Sequence, residues 1–587
     1  MAKITLGLAG AVGHDPAAAI FRDGELVAAV EEERLIRRRH ANGESPYLAA
    51  RYCLQAADVR GTDVDQVAIP YAPINLFNKA RWHYAYRHWY APDRAIDSVL
   101  NGNRRYRRYR HELEEFLDKL HIPRSVEIIP VQHQLAHASS ALLLENLPDK
   151  TPVFSIDSKG EYSTIYLGYY ENRKFTRIKE FYNPDSLSGM YAALTDYLGF
   201  EILDGEFKVM GIAPFGDPNK YDLSSLARLR GRRFKVNNRL ISTVGLRRYK
   251  AKSKGHYFSK KLVDLLGPRR VGNLTDDPYV HYAAAIQKLY EDLAVQMLET
   301  FLGEHIAETG RLAFAGTGSM NIRLNRRLAA MPAVKKLIVS PACADSGTAI
   351  GAAAYAIRSQ GIDIVPVDNL FLGPRYTRRQ CERACKDHRE KPVYELLENP
   401  HERAAELIAA GEVIAWYRDR MEFGSRALGN RSILADASKE DVVNKINKQV
   451  KFRESWRPYS ASILADSVGE SGSAFSEEFP EFRDQTMCVS TLASEKFKHG
   501  FPSVIHIDGT VRSQLVTEEH CADFYTLLRE FKEKTGRGVI VNTALNRPGE
   551  AMACTPEDAL NVFLGTDLNY LILGDYLVTK REETDDW

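Results

Sequence analysis

The chain has 587 residues, 44% hydrophobic and 27% charged, with 79 basic and 77 acidic side chains and a formal net charge of +2. That length exceeds one core and predicts two or three domains with the composition of a soluble enzyme. The balanced charge argues against a nucleic-acid coat or an acidic tail, and no apolar run reaches the roughly 18 residues that a membrane span needs.

Ile4–Ala9 reads as a strand that starts almost at Met1, with no signal-peptide pattern ahead of it. The cysteines (Cys53, Cys343, Cys381, Cys385, Cys488, Cys521 and Cys554) are odd in number and scattered, so a cytoplasmic location is expected rather than a disulfide framework. Cys381 and Cys385 can share a helix face, but no second pair completes a four-ligand zinc site, and a structural role is expected. His14, in the turn after the first strand, has two readings. It accepts a proton from an attacking hydroxyl, or it only bonds the turn backbone.

Ala17–Phe21 and Leu26–Val30 flank Asp23-Gly24, a hairpin signal. The pattern returns at Pro152–Ile156, Thr164–Tyr170 and the apolar stretch beyond, which predicts an internal duplication of the actin/hexokinase type with ligand held between the halves. Between the halves, Ala80–Arg110 interleaves eight arginines with tryptophan and tyrosine. A helical insertion (about 78–112) with solvated arginine stems is the first reading; an acceptor-recognition surface and nucleic-acid binding are the others.

Val131–His137 places His133 and His137 at i and i+4 on one helix face, a spacing that suits two ligands of one ion. Asp157 and Asp345 each sit at a glycine-containing turn bordering the same proposed cleft. Two imidazoles and two carboxylates suit iron(II), manganese or zinc. Leu312–Asn321 reads as strand, glycine turn and helix, which lets a nucleotide approach the backbone near Gly316 and Gly318. Pro341–Ala349 repeats the turn into an alanine-rich helix.

Gly361–Tyr376, with its proline and glycine residues, reads as a linker. It divides a domain of residues 1–360 from an α/β domain of 377–587, where Glu402–Ala410 and Pro556–Phe563 are predicted helices and Val413–Tyr417 and Val539–Asn542 predicted strands. Met421–Ser432 reads as a loop that carries Arg426 and opens a helix. Val450–Pro458 adds Lys451, Arg453 and Arg457; His506–Gln514, read as lying between two apolar strands, adds His506, Asp508 and Arg512; Asn542 and Asn546 are placed at a strand end. So many planar forks and point charges in glycine-punctuated loops suit phosphate oxygens, and more than one phosphate.

Gly13–Ala18, Glu31–Arg34, His133-x3-His137, Gly205–Gly211, Glu422–Ser432 and His506-x-Asp508-Gly509-Thr510 together resemble the O-carbamoyltransferases of nodulation-factor, tobramycin and cephamycin biosynthesis, in order over nearly the whole chain. The resemblance implies an actin/hexokinase-like N-terminal domain similar to the tRNA threonylcarbamoyl transferase, and a C-terminal domain similar to the threonylcarbamoyl-adenylate synthase. It implies an ATP-dependent O-carbamoyltransferase. Carbamoyl phosphate and ATP, with magnesium, would give carbamoyl adenylate, and an iron-centred site would pass the carbamoyl group to an acceptor hydroxyl. The acceptor expected is a sugar of a natural product or glycan.

Carried over, His133, His137, Asp157 and Asp345 would hold the metal and His14 would assist the hydroxyl. Lys451, Arg453, Arg426, Arg457, Arg512 and Asn542, with His506 and Asn546 close by, would hold the phosphates; Gly316, Gly318 and Asn321 would border the adenylate. Thr317 departs from a usual glycine, Ser425 from a usual proline, and Ala544 with Leu545 from serine and phenylalanine; none is expected to touch a metal ligand. No nucleic-acid partner is expected, and a homodimer is the expected assembly. The rival readings are a tRNA threonylcarbamoylation-type enzyme and a non-catalytic nucleotide-binding scaffold.

Overall fold

The computed structural model describes residues 2–10, 14–241, 256–467, 476, 478 and 484–581. It divides into two compact units: Met1–Val27 with Gly43–Pro366, and Ala28–Asn42 with Val367–Trp587.

The first unit contains the same sheet twice. In one, β1 (Ile4–Ala9) pairs antiparallel with β2 (Ala17–Arg22) and parallel with β4 (Gln66–Ile69), which pairs parallel with β5 (Glu127–Pro130). β3 (Glu25–Glu31) lies beyond β2, after a tight turn in which Asp23 and Gly24 both take positive φ. In the other, β6 (Thr151–Ile156) pairs antiparallel with β7 (Ser163–Glu171) and parallel with β11 (Arg311–Ala315), while β8 (Lys174–Tyr182) and β12 (Lys336–Val339) close the two sides. The orders β3-β2-β1-β4-β5 and β8-β7-β6-β11-β12 are the same, as an actin/hexokinase-type duplication requires. A separate hairpin, β9 (Ala227–Arg230) and β10 (Arg233–Val236), is inserted before β11.

Small residues bring the elements of this unit close together. The helix Thr348–Ser359 packs on β1 and on the helix His133–Ser139. A Cβ on Gly7 would lie 2.0 Å from the Ala349 carbonyl oxygen, and one on Gly351 would lie 1.7 Å from that of Ala136. The insertion forms the helices Lys79–Arg87, Pro92–Asn101 and Arg104–Lys119. Two of its arginines work internally: Arg81 donates to the Ile74 and Val99 carbonyls, and Arg87 donates at 2.8 Å to Asp185 and to the Val236 carbonyl. Trp82, Tyr86 and Trp89 are exposed.

The second unit is built on one nine-stranded sheet. Its strands are β13 (Val393–Leu396), β14 (Ile414–Tyr417), β15 (Arg431–Asp436), β16 (Ser460–Leu464), β17 (Ser490–Leu492), β18 (Thr510–Val516), β19 (Val539–Ala544), β20 (Tyr570–Leu573) and β21 (Tyr576–Thr579). They lie in the order β13-β21-β20-β14-β15-β19-β16-β18-β17. The helices Pro400–Ala409 and Glu518–Thr535 bury Trp416, Phe524 and Phe531, whereas Arg378–Asp387, carrying buried Cys381 and Cys385, and Pro556–Leu564 contribute to a second core cluster.

Three local expectations are corrected. The Arg426 loop leads into β15, not into a helix, because Ser432, Ile433 and Leu434 are paired with strands on both sides. Asn542 lies within β19 rather than at its end, paired with Leu434 and Ser460. The residues before His506 form a short 3₁₀ turn, Pro502–Val504, with a single bridge from Ile505 to Val511, because Pro502 has no N–H for a ladder. Among the described residues, no helix is long and apolar enough to cross a membrane.

Candidate metal centre and anion site

In the first unit, His133, His137, Asp157 and Asp345 offer ligand atoms that all lie within 4.8 Å of one another. The helix His133–Ser139 presents both Nε2 atoms to one point, 3.2 Å apart. Asp157 Oδ2 is 3.4 Å from His133 Nε2, and Asp345 Oδ1 is 3.5 Å from His137 Nε2 and 3.7 Å from His133 Nε2. Donors bound to one ion at about 2.0–2.2 Å in a tetrahedral shell are separated by about this much. The residues therefore fit a single cation.

The surroundings fix these ligands. Glu161 accepts from the His133 backbone N–H, and a Cβ on Gly160 would meet His133 Cβ at 2.7 Å, so the glycine leaves room for the imidazole. Thr317 Oγ1 donates to Asp157 Oδ1, and the Lys159 N–H donates to Oδ2. The expectation that Thr317 touches no candidate ligand is therefore corrected: 160 residues separate the two in sequence, and the glycine turn after β11 carries the hydroxyl back onto the end of β6.

Burial alone would lower the His133 pKa; facing Asp157 and Asp345 raises it well above the ordinary value. Burial would likewise raise Asp345, and the imidazoles of His133, His137 and His14 hold it well below the carboxylate range. His14 lies at the edge of the cluster, its Nε2 3.7 Å from Asp345 Oδ2 and its Nδ1 2.8 Å from Asp15 Oδ2.

The residues named for an adenylate border each have a structural partner. Gly316 has φ +82°, and a Cβ there would lie 2.4 Å from the Ile156 carbonyl oxygen; one on Gly318 would lie 2.7 Å from Ile156 Cβ. The Asn321 side chain caps the helix Ile322–Ala329 through the Leu324 N–H at 3.0 Å and exchanges two bonds with Gln287.

In the second unit, burial, with the charges on Arg426, Arg453 and Arg457 adding to it, holds Arg512 well below the usual guanidinium range. Burial, Arg453, Arg457 and Arg39 lower Lys451 in the same way, and burial with Arg453 brings Arg457 down to about 10. Arg426, Lys451, Arg453, Arg457 and Arg512 thus lie within electrostatic reach of one another, with burial as the largest cost to the charges on Lys451, Arg457 and Arg512.

The polar partners show how this cluster is held. Lys451 Nζ donates to the Ala544 carbonyl at 2.6 Å, the Asn546 carbonyl at 2.8 Å and Asn546 Oδ1 at 2.7 Å. Arg453 lies 4.1 Å from the Tyr459 ring centroid and donates to Asn447 Oδ1. Arg512 Nε donates to Ser460 Oγ at 2.6 Å. Asn542 Nδ2 donates to Ser462 Oγ at 3.0 Å, and its buried Oδ1 has no hydrogen-bond partner. His506 is set by a turn in which the Thr510 hydroxyl contacts its Nδ1 and donates to Asp508.

The Arg426 loop is organised by Glu422, whose Oε1 accepts from the Leu428, Asn430 and Arg431 N–H groups. Arg431 is fully buried, stacks 3.8 Å from the Tyr417 ring centroid and donates to backbone carbonyls that include Asp419 and Pro374. Glu422 and Arg431 build the loop, and Arg426 is what it presents.

Arg39 is the residue the sequence reading missed. It belongs to the second unit through the segment Ala28–Asn42, which Arg37 ties down by donating to the Met552 carbonyl and pairing with Asp558 at 3.2 Å. The run Arg37-Arg38-Arg39 was the available signal, but nothing near it in sequence shows that it crosses to the other unit.

Burial pushes the Glu31 carboxyl from 4.5 up to about 7, with Arg34 pulling it down and Glu33 adding to the rise. The folded chain then holds this proton more tightly than the unfolded chain, so stability present below the unfolded value is lost as pH rises through the folded one. Relative to Glu31→Gln, the wild type is expected to lose about 3 kcal/mol across that window. Thermal midpoints of the two proteins compared across it test this; parallel curves would rule it out.

Two carbamoyltransferase family profiles match the chain: the N-terminus profile over residues 4–354 and the C-terminus profile over 405–580. The chain belongs to the carbamoyltransferase family. Nodulation protein NolNO of Sinorhizobium fredii is 31% identical over 99% of this carbamoyltransferase and 82% of its own length. The 3'-hydroxymethylcephem-O-carbamoyltransferase of Streptomyces clavuligerus is 29% identical over 48% and 53%. Among solved structures, a ROK hexokinase from Thermus thermophilus aligns with 61% of the chain and 99% of its own, at 12% identity and a TM-score of 0.27.

Proposed function

We propose that this carbamoyltransferase forms carbamoyl adenylate from carbamoyl phosphate and ATP in its second unit, and transfers the carbamoyl group to an acceptor hydroxyl in its first. The observation that carries the first half is the cluster of Arg426, Lys451, Arg453, Arg457 and Arg512, whose mutual repulsion polyphosphate oxygens would relieve. Atom balance requires one water. It splits carbamoyl phosphate into phosphate and carbamate, and a carbamate oxygen then displaces pyrophosphate from the α-phosphorus of ATP.

For the second half, His133, His137, Asp157 and Asp345 would hold one ion, iron(II), manganese or zinc by donor type. Such an ion supplies Lewis-acid polarisation of a carbonyl. Asp15 facing His14 Nδ1 favours the proton on that nitrogen and leaves Nε2 as the acceptor for the hydroxyl proton. AMP leaves as the new C–O bond forms. The acceptor proposed is a sugar hydroxyl of a natural product or glycan; the exposed Trp82, Tyr86 and Trp89 rings offer faces on which sugars stack.

The test is release of phosphate from carbamoyl phosphate and of pyrophosphate from ATP without any acceptor, with ATP present and carbamoyl phosphate added or left out. Equal release of both that depends on carbamoyl phosphate is expected. Release with bicarbonate and threonine instead would move the assignment to a threonylcarbamoylation-type enzyme.

A further inference from the structure

Glu31 and Arg34 are charged side chains, yet they are only 4% and 6% exposed. Both grip one residue. Glu31 Oε1 accepts from the Gly424 N–H at 2.7 Å, and Arg34 Nη2 donates to the Gly424 carbonyl at 2.7 Å. Gly424 has φ +102°, a conformation that other residues adopt only with strain, and it lies two positions before Arg426. Arg34 is held in turn by Glu33, 3.3 Å from its Nε, and Glu33 accepts from the His40 N–H at 2.7 Å.

The N–H held by Glu31 belongs to the peptide before Gly424 and the C=O held by Arg34 to the peptide after it, so both peptide planes flanking Gly424 are fixed and the chain leaves it in a set direction. Glu422 fixes the loop behind Arg426 through Leu428, Asn430 and Arg431. The grip on Gly424 fixes it in front. From these two anchors we infer that Glu31 and Arg34 are positioning residues for anion binding, acting through Gly424 to aim Arg426 at the anion. The inference rests on the proposed anion site and adds to it a part supplied from the beginning of the chain.

Pyrophosphate binding to the full-length protein, measured calorimetrically, tests it with Arg426→Ala, Glu31→Ala, Glu31→Gln and the double variant Glu31→Ala/Arg426→Ala. Arg426→Ala is expected to weaken binding about tenfold, as the loss of one charge-assisted contact does. Glu31→Ala should match it, and the double variant should be no weaker than either, because a misaimed arginine and a missing one are equivalent. Glu31→Gln keeps an acceptor for the Gly424 N–H and should bind within about twofold of wild type. If Glu31→Ala does not fold, Arg34→Met, which removes the donor to the Gly424 carbonyl together with the pairing to Glu31 and Glu33, takes its place. Wild-type affinity in Glu31→Ala or Arg34→Met, or losses that multiply in the double variant, would overturn the inference alone. Equal binding by wild type and Arg426→Ala would overturn the anion-site reading and the inference with it.

Discussion

Asp345→Asn is expected to give a folded protein that has lost its metal and its carbamoyl transfer but still releases pyrophosphate. Asp345 faces both imidazoles of the cluster and His14, at 3.5 to 3.7 Å. The amide keeps its size and removes its charge. Burial would discharge this carboxyl, and the facing imidazoles of His133, His137 and His14 hold it ionised. Without it, the buried His133 loses one of two anionic partners, and an ion would keep three donors instead of four. Lewis-acid polarisation is worth several kcal/mol of transition-state stabilisation, so a loss of at least about 10³-fold in transfer is expected. The residues proposed for adenylation all belong to the other unit and should not register the change. Measured metal content and transfer rate at the wild-type level in Asp345→Asn would remove the cluster from the mechanism.

That cluster was legible because its signals are local. Two histidines at i and i+4 must share a helix face, and acids at glycine turns after strands must lie at one end of a sheet. The duplication was legible for the same reason, since each half opens with a strand, a turn and a hairpin. Features that depend on long-range contacts were not legible. Glu31-Glu32-Glu33-Arg34 has the composition of a solvated turn, and its burial follows only from where Gly424 comes to lie. Thr317 looks like a simple departure from glycine until β11 and β6 pair and bring its hydroxyl to Asp157. Asn542 resembles a strand-end residue because amides are rare inside strands; here Ser462 on the adjacent β16 and Gln514 on β18 beyond it satisfy its donor. The loop before β15 was misread as opening a helix because the glycine-punctuated run from Gly424 to Gly429 does not show what Gly429 packs against. That glycine has φ +115°, and a Cβ there would lie 2.2 Å from the Phe524 ring, so packing rather than helix capping explains it.

Arg512→Met is expected to make the ligand-free protein more stable and the enzyme inactive in adenylation. Burial weighs most against the charge on Arg512, and Arg426, Arg453 and Arg457 add to it. Its Nε bond to Ser460 Oγ offsets part of that cost. A methionine fills much of the same volume and removes the repulsion, so the thermal midpoint without ligand should rise, by roughly 2–4 °C for each kcal/mol relieved in a unit of this size. The same charge is what a bound polyphosphate would use. Removing one preorganised donor to developing phosphate charge typically costs about 10²–10³ in rate. Stabilisation by added pyrophosphate should shrink with it, since a ligand stabilises only in proportion to its affinity for the folded state. A cation that serves only packing would give the opposite pair of results, lower stability with unchanged pyrophosphate release. Stability and activity moving in opposite directions is what distinguishes a site built for an anion from a buried cation network that serves the fold.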